Sequence, residues 1–456
     1  MIINKIGGKM SVNKINISNF RGIEKLSLEI SKKNRVICFV GENGSSKTSV
    51  LSLIAEAIVS KTKLSFPNFS NENGKRYRVL TTGEIKKNSN FYSVEIDYSQ
   101  INGRKFNFKK VVGRSNEIEK TEYSDIIKDV SIPLSGFSAH EISTLDALDS
   151  SLDFLKLNVF LIRPSNRYEN YASEISNDNT NKDALSVRVG FSGQMPYSFL
   201  VAHSGDDVQT AILNMLFDSQ IGYPDAFLSF RQISSLLTSI TGKNFGNIQV
   251  TKMPFRQVIS SEVGELKSFS QGELDLLVTI VNILKQQLYF YGLYSENDRN
   301  TFQINSIFNV PGVVLIDEVD LHLHPKAQES YIQILTNFFP NLQFIITTHS
   351  PFIVRGLPRE SIVVSLPTGR VISEAFQKMD IDSITRIIFE YRGGFSDKVA
   401  SNLGDFKREL TSIEPNISKL KEIFQELSDS PTAKDELELY MASYGSSAIN
   451  KQIKGA

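Results

Sequence analysis

Paired carboxylates at the end of an apolar run are the feature of this chain that most directly suggests chemistry. The run Gly312-Val313-Val314-Leu315-Ile316 is followed by Asp317 and Glu318. Such a run is typical of a buried parallel strand, and open α/β sheets bind ligands at the C-terminal tips of these strands. Two desolvated acids are costly unless a cation or a catalytic task compensates. We therefore interpret Asp317 as facing Mg²⁺ and Glu318 as facing an attacking water, although a strand that ends in a solvated loop is the alternative.

A glycine-rich turn between a predicted strand and a predicted helix suggests a phosphate site. Residues 36–40, which follow Arg35, are apolar, residues 41–48 read Gly-Glu-Asn-Gly-Ser-Ser-Lys-Thr, and an apolar helical face follows. In this setting, backbone N–H groups hold nucleotide phosphates, a lysine neutralises them and a hydroxyl ligates Mg²⁺. We assign Thr48, with Asp317, to the metal. The predicted nucleotide-binding residues of this turn are Gly41, Glu42, Asn43, Gly44, Ser45, Ser46, Lys47, Thr48 and Ser49.

Ser46 departs from the phosphate-loop pattern, which has glycine immediately before the lysine. If that position needs a positive φ, a side chain strains the backbone by roughly 1–2 kcal/mol. The sequence therefore predicts nucleotide binding with slow hydrolysis. We also expect Lys47 to face solvent when no nucleotide is bound, so that folding does not require it.

Two further polar segments follow or open apolar elements. Ser270-Gln271-Gly272-Glu273, which we call the signature segment, opens a strongly apolar helix. Serine and glycine there can bind an anion at the helix N-terminus, although a helix cap explains the same residues. Residues 342–347 predict another buried strand, and His349 lies at its tip. A lone histidine is more often structural, but at this edge it can reach a γ-phosphate.

The remaining pattern predicts the elements that position these residues. Alternation of apolar and polar residues predicts antiparallel strands, and apolar residues three or four positions apart predict helices. The predictions are an extension with little structure at 1–9, a half-buried hairpin at 11–30, further antiparallel strands at 75–135, an apolar strand at 158–164, an exposed loop at 166–183, packed helices at 207–241 and amphipathic helices at 380–445. The last helices either pack on the rest of the chain or offer a surface to a partner.

Composition limits the function classes. The 456 residues are 41% hydrophobic and 22% charged, enough for a large core and two lobes or more. We expect a cytoplasmic protein with no membrane partner, because there is neither an apolar run of about 18 residues nor a signal peptide. The single Cys38 is predicted to be core packing, which excludes a cluster of thiolates. Lys+Arg and Asp+Glu number 50 each, so no global basic field supports direct DNA binding.

Four motifs in this order resemble the ATP-binding-cassette head of the RecF, SMC and OLD-like ATPases. They are the phosphate loop 41–48, the signature segment, the acidic strand 313–318 with Leu-His-Leu-His-Pro after it, and Thr348-His-Ser-Pro351. Asn19-Phe20-Arg21-Gly22 is also similar to that group. The resemblance implies an α/β fold, namely a two-lobed ABC-type P-loop NTPase head. This head has a mixed sheet, an antiparallel β-subdomain, an inserted helical lobe and a helical C-terminal tail.

The same resemblance implies domain boundaries and a shared site. The boundaries are 10–135 for the first part of the ATP-binding lobe, 136–260 for an inserted, mostly helical lobe, 261–370 for the second part of the ATP-binding lobe and 371–456 for the tail. A homodimer or higher homo-oligomer would trap ATP between the phosphate loop of one subunit and Ser270 and Gly272 of the other. Glu318 would polarise water, Asp317 would hold Mg²⁺ through its water shell, and His349 would sense the γ-phosphate. The Q-loop glutamine of the group has no counterpart at the expected strand end.

Within that group, the compact size, the Leu-His-Leu-His-Pro loop and the helical tail are similar to ATPases of bacterial antiphage systems, such as the PtuA ATPase of Septu and retron-associated ATPases. This resemblance favours an ATP-gated switch or scaffold subunit for a separate effector, a nuclease. A RecF- or SMC-like repair ATPase that acts directly on DNA is the alternative, and it requires a basic face that the net charge does not indicate. A transporter ATPase is disfavoured by its smaller head and different loop after the acidic strand.

Overall fold

The computed structural model describes most of the chain. The described residues are 10–65, 82–99, 105–118, 131–134, 137–143, 158–165, 205–252, 257–372, 375–389, 396–412 and 415–454. The predicted extension at 1–9 and the predicted loop at 166–183 lie outside them. Contacts divide the chain into two compact units, residues 1–384 and 385–456.

Alternating apolar residues near the N-terminus build a six-stranded antiparallel sheet, ordered β2-β1-β4-β5-β7-β6. Its strands are β1 (Ser11–Phe20), β2 (Ile23–Glu29), β4 (Phe91–Ser99), β5 (Lys105–Gly113), β6 (Ser131–Leu134) and β7 (Phe137–Ser143). The first two strands pair tightly up to Phe20 and Ile23, so the predicted hairpin is confirmed. The strands predicted around residues 92–98 and 105–112 are confirmed as β4 and β5.

A second six-stranded sheet is parallel except at one edge, with the order β15-β14-β3-β13-β12-β8. Its strands are β3 (Val36–Val40), β8 (Val159–Arg163), β12 (Gly312–Ile316), β13 (Leu342–Thr347), β14 (Ile362–Ser365) and β15 (Arg370–Ile372). The four central strands are buried along almost their whole length, as expected for parallel strands covered on both faces. A small third sheet contains β9 (Ile248–Val250), β10 (Val258–Ser260) and β11 (Gly264–Glu265).

One apolar core joins the two large sheets through helix α1 (Lys47–Ser65). Ile15 of β1, Ile54 of α1 and Leu315 of β12 are fully buried members of it. Cys38 of β3 is also fully buried, and burial raises the pKa of its thiol, which confirms core packing. The helix that follows the phosphate loop is therefore held from both sides.

The other helices of the first unit are α2 (Ser115–Ile118), α3 (Gly205–Gln220), α4 (Pro224–Thr241), α5 (Gln271–Leu293), α6 (Glu296–Phe302), α7 (Pro325–Phe338) and α8 (Pro351–Arg355). The predicted helical region at 207–241 is confirmed as α3 and α4. Helix α5 is apolar on nearly all sides because α3, α4 and β8 all pack against it. Two strands within residues 136–260 belong to the two large sheets, since β7 pairs with β5 and β8 with β12. The proposed domain boundaries remain predictions.

Helix α9 (Ile381–Ile388) spans the division between the units. The second unit contains α10 (Asp397–Leu410), α11 (Ile417–Leu427), α12 (Pro431–Tyr444) and α13 (Ser447–Lys454). Their apolar faces form a core of their own, which includes the fully buried Phe406, Leu420 and Leu437. These faces therefore pack against one another, an arrangement that was not among the two expected from the sequence.

Candidate active site at the carboxyl edge of the parallel sheet

Three neighbouring parallel strands bring the predicted motifs to one edge. Strand β13 pairs with β3 on one side and with β12 on the other. The phosphate loop follows β3, His349 follows β13, and Asp317 and Glu318 follow β12. Because parallel strands end at the same edge, residues far apart in the sequence face one location.

Lys47 is folded back onto its own loop. Its Nζ donates hydrogen bonds of 2.9 Å to the Gly41 carbonyl and 2.8 Å to the Glu42 carbonyl, and the residue is only 6% exposed. The expectation that Lys47 faces solvent is therefore wrong, since loop carbonyls accept the hydrogen bonds that phosphate oxygens would take. Burial lowers the pKa of this ammonium group, while the carboxylates of Asp317 and Glu318 act in the opposite direction.

Ser46 adopts the strained backbone that its position in the loop suggested. Its φ is 75°, in the left-handed region that disfavours side chains. Its hydroxyl is buried and has no hydrogen-bond partner in the described part of the chain. The strain is thus not offset by a side-chain hydrogen bond. Gly41, with φ of 145°, has no room for a side chain because a Cβ would collide with the Leu366 carbonyl oxygen.

Two hydroxyls orient the buried carboxylate of Asp317. Thr48 Oγ1 donates to Oδ2 at 2.8 Å, and Thr347 Oγ1 donates to Oδ1 at 2.6 Å. Asp317 is 3% exposed. The Thr347 hydroxyl also accepts a 2.7 Å hydrogen bond from the Glu318 backbone N–H. Sequence reasoning missed Thr347, although its place one residue before Thr348 at a strand tip was a usable signal.

Glu318 has an unusual backbone, with φ of 47°. Left-handed conformations of residues other than glycine are uncommon and cluster at functional sites. The backbone hydrogen bond from Val319 N to the Thr347 carbonyl, 2.9 Å long, and the bond from Glu318 to the Thr347 hydroxyl maintain this conformation. The half-buried Glu318 is thereby held at the edge, next to Asp317 but with its own backbone geometry.

Asp320 links the acidic strand tip to the segment after β13. Its carboxylate accepts hydrogen bonds from the Thr348 hydroxyl and, at 3.3 Å, from the His349 backbone N–H. Gln328 donates to the Asp320 carbonyl at 3.2 Å and accepts a hydrogen bond from the Ser350 hydroxyl. Sequence analysis did not single out Asp320 or Gln328. These contacts fix the position of the His349 backbone.

The pKa of His349 is lowered first by burial and second by the positive charge of Lys47, while Asp320, Glu318 and Asp317 raise it to a smaller extent. The effect of Lys47 on this pKa indicates that the imidazole lies within electrostatic range of the phosphate-loop lysine. The neutral imidazole is therefore favoured in the protein without nucleotide.

Arg21 connects the first hairpin to the phosphate-loop helix. Its Nη1 donates a 2.6 Å hydrogen bond to the Ser49 hydroxyl, and its guanidinium forms an ion pair with Glu84. Ser49 is buried. Of the predicted nucleotide-binding residues, Ser49 thus has its hydroxyl engaged by the supporting structure, and its contribution to a ligand would come from the backbone.

The signature segment forms the N-terminus of α5. Ser270 Oγ accepts from Glu273 N at 3.3 Å, and Glu273 Oε2 accepts from Ser270 N at 2.8 Å, so the cap explanation is realised as a complete capping box. Ser270 is exposed, and its hydroxyl proton is free to be donated because the capping bond uses the oxygen as acceptor. A Cβ on Gly272 would collide with the His322 carbonyl oxygen, so glycine permits the loop after the acids to contact α5.

The structure does not join the signature segment to the phosphate loop of the same chain. Within the described ranges, the side-chain hydrogen bonds of Ser270 and Glu273 go to each other and to Lys243, and none goes to residues 41–49. Among the described residues there is also no group of three or more His, Cys, Asp or Glu side chains suited to a metal ion. No described helix is long and apolar enough to cross a membrane.

The family comparison agrees with this geometry. Residues 36–355 match the family described as "AAA domain, putative AbiEii toxin, Type IV TA system". The chain belongs to this AAA family. The matched range begins at β3 and ends at the last residue of α8, so it contains the phosphate loop, the signature segment, both acids and His349. As a member with a P-loop NTPase site, the chain binds ATP and is an ATPase.

Two relatives and one solved structure illustrate the similarity. The "Retron Ec83 probable ATPase" of Escherichia coli is 24% identical over 463 residues, covering 87% of this chain and 82% of that protein. The "Septu protein PtuA" of Bacillus thuringiensis is 28% identical over 167 residues, covering 33% of this chain and 39% of that protein. A structure of an Smc head bound to the C-winged helix domain of ScpA matches with a TM-score of 0.43 and 14% identity, covering 79% of this chain and 96% of that chain.

Proposed function

We propose that this AAA-family chain is an ATP-gated switch that controls a separate effector protein in bacterial antiphage defence. The observation that carries the proposal is the split of the machinery. The phosphate loop, Asp317, Glu318 and His349 meet at one sheet edge, whereas the exposed Ser270 makes no hydrogen bond to that loop in the described residues. A complete site then requires the signature segment of a second copy, so ATP binding is coupled to the assembly of two chains.

Thr48 and Asp317 are suited to hold Mg²⁺ with the nucleotide. A hydroxyl and a carboxylate are hard oxygen donors, and their oxygens lie 2.8 Å apart. Bound Mg²⁺ would neutralise charge that develops on the β- and γ-phosphates. The Thr347 hydroxyl donates a hydrogen bond to the second carboxylate oxygen of Asp317.

The other residues of the edge act on the triphosphate and on water. Lys47 exchanges its bonds to the Gly41 and Glu42 carbonyls for phosphate oxygens, which also opens the loop. Glu318 accepts a proton from, or orients, the water that attacks the γ-phosphate. The neutral imidazole of His349 senses the γ-phosphate, and Asp320 positions its backbone.

The signature segment of a second copy completes the site. The free hydroxyl proton of Ser270 and the N-terminal end of α5 suit the negatively charged γ-phosphate of ATP bound to the partner. Two such contacts, related by two-fold symmetry, would close a homodimer around two ATP molecules. Hydrolysis removes the γ-phosphate, so the contact that stabilises the closed dimer is lost.

The role in defence and the separate effector rest on the relatives. A retron ATPase spans most of the chain, and a Septu protein matches part of it. We therefore assign the chemistry on the target, that of a nuclease, to a separate protein that the closed dimer engages.

A mixing experiment tests the shared site. The variants Lys47→Ala and Ser270→Arg should each hydrolyse ATP poorly, the first because its phosphate loop fails and the second because its arginine blocks the partner's site. In a one-to-one mixture, each mixed dimer has one site built from the two intact halves. Turnover should recover to at most roughly a quarter of the parent. Ser295 caps α6 as Ser270 caps α5, so Ser295→Arg is the matched control and should behave like the parent. No recovery in the mixture would contradict the shared site.

A second experiment separates this proposal from direct action on DNA. The purified chain is titrated with duplex DNA in the presence of ATP at two salt concentrations. We expect little binding, because the chain is net neutral. Tight binding that weakens steeply with salt would instead support the repair-type ATPase that acts on DNA directly.

A further inference from the structure

A buried ion pair joins the signature helix to the strand beside the acidic strand. Arg163, the last residue of β8, is 0% exposed and pairs with Asp275, which is 1% exposed and lies in the second turn of α5. Among the described residues, Arg163 is the largest fully buried side chain by volume. Burying a guanidinium and a carboxylate requires that each be paired, because their desolvation is expensive.

The backbone of Arg163 reaches the predicted metal-binding acid directly. Its carbonyl accepts a 2.8 Å hydrogen bond from the Asp317 N–H, and in the strand register Arg163 is the partner of Ile316. One residue therefore contacts Asp317 through its main chain and α5 through its side chain. A displacement of α5 would be transmitted to the Asp317 backbone through a single rigid residue.

A second buried contact prevents α5 from sliding along β8. The Phe160 N–H donates a 3.0 Å hydrogen bond to Oε1 of Gln286, whose side chain is buried in the fourth or fifth turn of α5. With Asp275 held near one end and Gln286 further along, α5 and β8 move together. The signature segment, at the start of α5, is thus rigidly connected to the strand that adjoins β12.

We propose that Arg163 is a positioning residue that couples the signature segment to Asp317 of the same chain. This inference rests on the proposed function, in which Ser270 contacts ATP held by a partner. Closure on that ATP would press on α5, and the Arg163–Asp275 pair would set the Asp317 carboxylate in its active position. Each chain would then hydrolyse its own ATP faster once its signature segment has engaged the partner. Apolar pairs of similar volume often replace buried ion pairs without loss of stability, so stability alone does not account for the pair.

The test replaces both charges together, because a single substitution would leave one buried charge unpaired. The double variant Arg163→Met with Asp275→Leu is compared with the parent for folding by circular dichroism, for ATP-dependent association by light scattering and for turnover. The matched control is Lys110→Met with Glu56→Leu, which removes a buried ion pair between β5 and α1. We expect the Arg163/Asp275 variant to associate with ATP at the parental concentration and to lose turnover by about tenfold or more. The control should keep both properties.

Three outcomes decide the proposal. Unchanged association with reduced turnover supports the coupling. Parental turnover in the folded double variant overturns the coupling alone, whereas a parent chain that never associates with ATP overturns the proposed shared site together with it. If the double variant does not fold, Arg163→Lys keeps the charge but loses the planar fork of the guanidinium. It should then lower the maximal rate several-fold without changing the ATP concentration for half-maximal rate, and an unchanged maximal rate overturns the proposal.

Discussion

The Thr48 hydroxyl donates a 2.8 Å hydrogen bond to Oδ2 of Asp317, although 269 positions separate the two residues. This bond joins the phosphate-loop helix to the acidic strand. It places a hydroxyl and a carboxylate, the two groups proposed to hold Mg²⁺, next to each other at the edge of the sheet.

Asp317→Asn should remove the preference for Mg²⁺ while keeping the fold. The carbonyl oxygen of asparagine can still accept from Thr347, and its NH2 group can donate to the Thr48 hydroxyl in place of the bond that Thr48 now donates, but the negative charge that attracts the ion is lost. We expect the affinity for ATP in the presence of Mg²⁺ to fall about tenfold or more. The affinity for ATP in EDTA should be unchanged or higher. Calorimetry in both buffers measures this, and equal losses in both would contradict a metal role.

Lys47→Ala should weaken ATP binding strongly without unfolding the chain. The phosphates lose a charged donor, and such bonds contribute about 1.5–3 kcal/mol each, so we expect a loss of roughly 10- to 100-fold in affinity. The loop also loses its internal bonds to Gly41 and Glu42, so the melting temperature should fall by a few degrees at most. Calorimetry and thermal melting measure the two effects. An unchanged affinity would refute the assignment.

Ser46→Gly should raise the hydrolysis rate several-fold. Its left-handed φ of 75° stores strain of roughly 1–2 kcal/mol in the phosphate loop, and about 1.4 kcal/mol in the barrier is tenfold in rate. Ser46→Ala is the matched control, because it removes the unbonded hydroxyl but keeps the Cβ that opposes this φ. Alanine should therefore hydrolyse ATP as slowly as the parent. A glycine variant no faster than the parent would show that the loop tolerates serine freely.

Glu318→Gln should lower turnover by roughly 10²–10⁴-fold and leave ATP binding intact, because only the handling of water is lost. The backbone at this position is maintained by Thr347 and by the bond from Val319, neither of which depends on the carboxylate. Single-turnover assays combined with ATP-binding measurements separate the two steps. A variant that turns over like the parent would assign the water to another group.

His349 should make the apo protein less stable in acid. Its pKa in the folded chain lies below the ordinary value of 6.5, chiefly because the ring is partly buried. Between the folded and unfolded pKa values the unfolded chain binds more protons, so stability falls as the pH drops below about 6.5. The melting temperature of the parent minus that of His349→Gln should therefore decrease from pH 7.5 to pH 5.5. A difference that is the same at both pH values would contradict this account.

Local sequence was sufficient for much of the fold. The alternation in residues 11–30 and the apolar run 312–316 predicted elements that the structure contains, because side-chain period and burial are local properties of a strand. The order of the motifs also predicted the family, to which residues 36–355 belong. The placement of β8 beside β12, however, depends on pairing between distant segments, which no local pattern encodes.

For the candidate site, too, the sequence identified individual residues, whereas the contacts between them required the structure. Lys47, Thr48, Asp317, Glu318 and His349 were identified from the sequence, since residue type and position at a strand tip indicate their chemistry. The sequence suggested that Ser46 needs a positive φ, and the structure contains it.

Only the tertiary structure decided how these groups are held. The contacts of Asp320 with His349, the burial of Lys47 on its own loop and the pairing of Arg163 with Asp275 all join residues from different elements. The self-contained core around Phe406 in the second unit is of the same kind, because an amphipathic face shows that it will be buried but does not name the surface that buries it. Hydrophobic periodicity is a property of one segment, whereas a hydrogen bond or an ion pair requires two segments to meet.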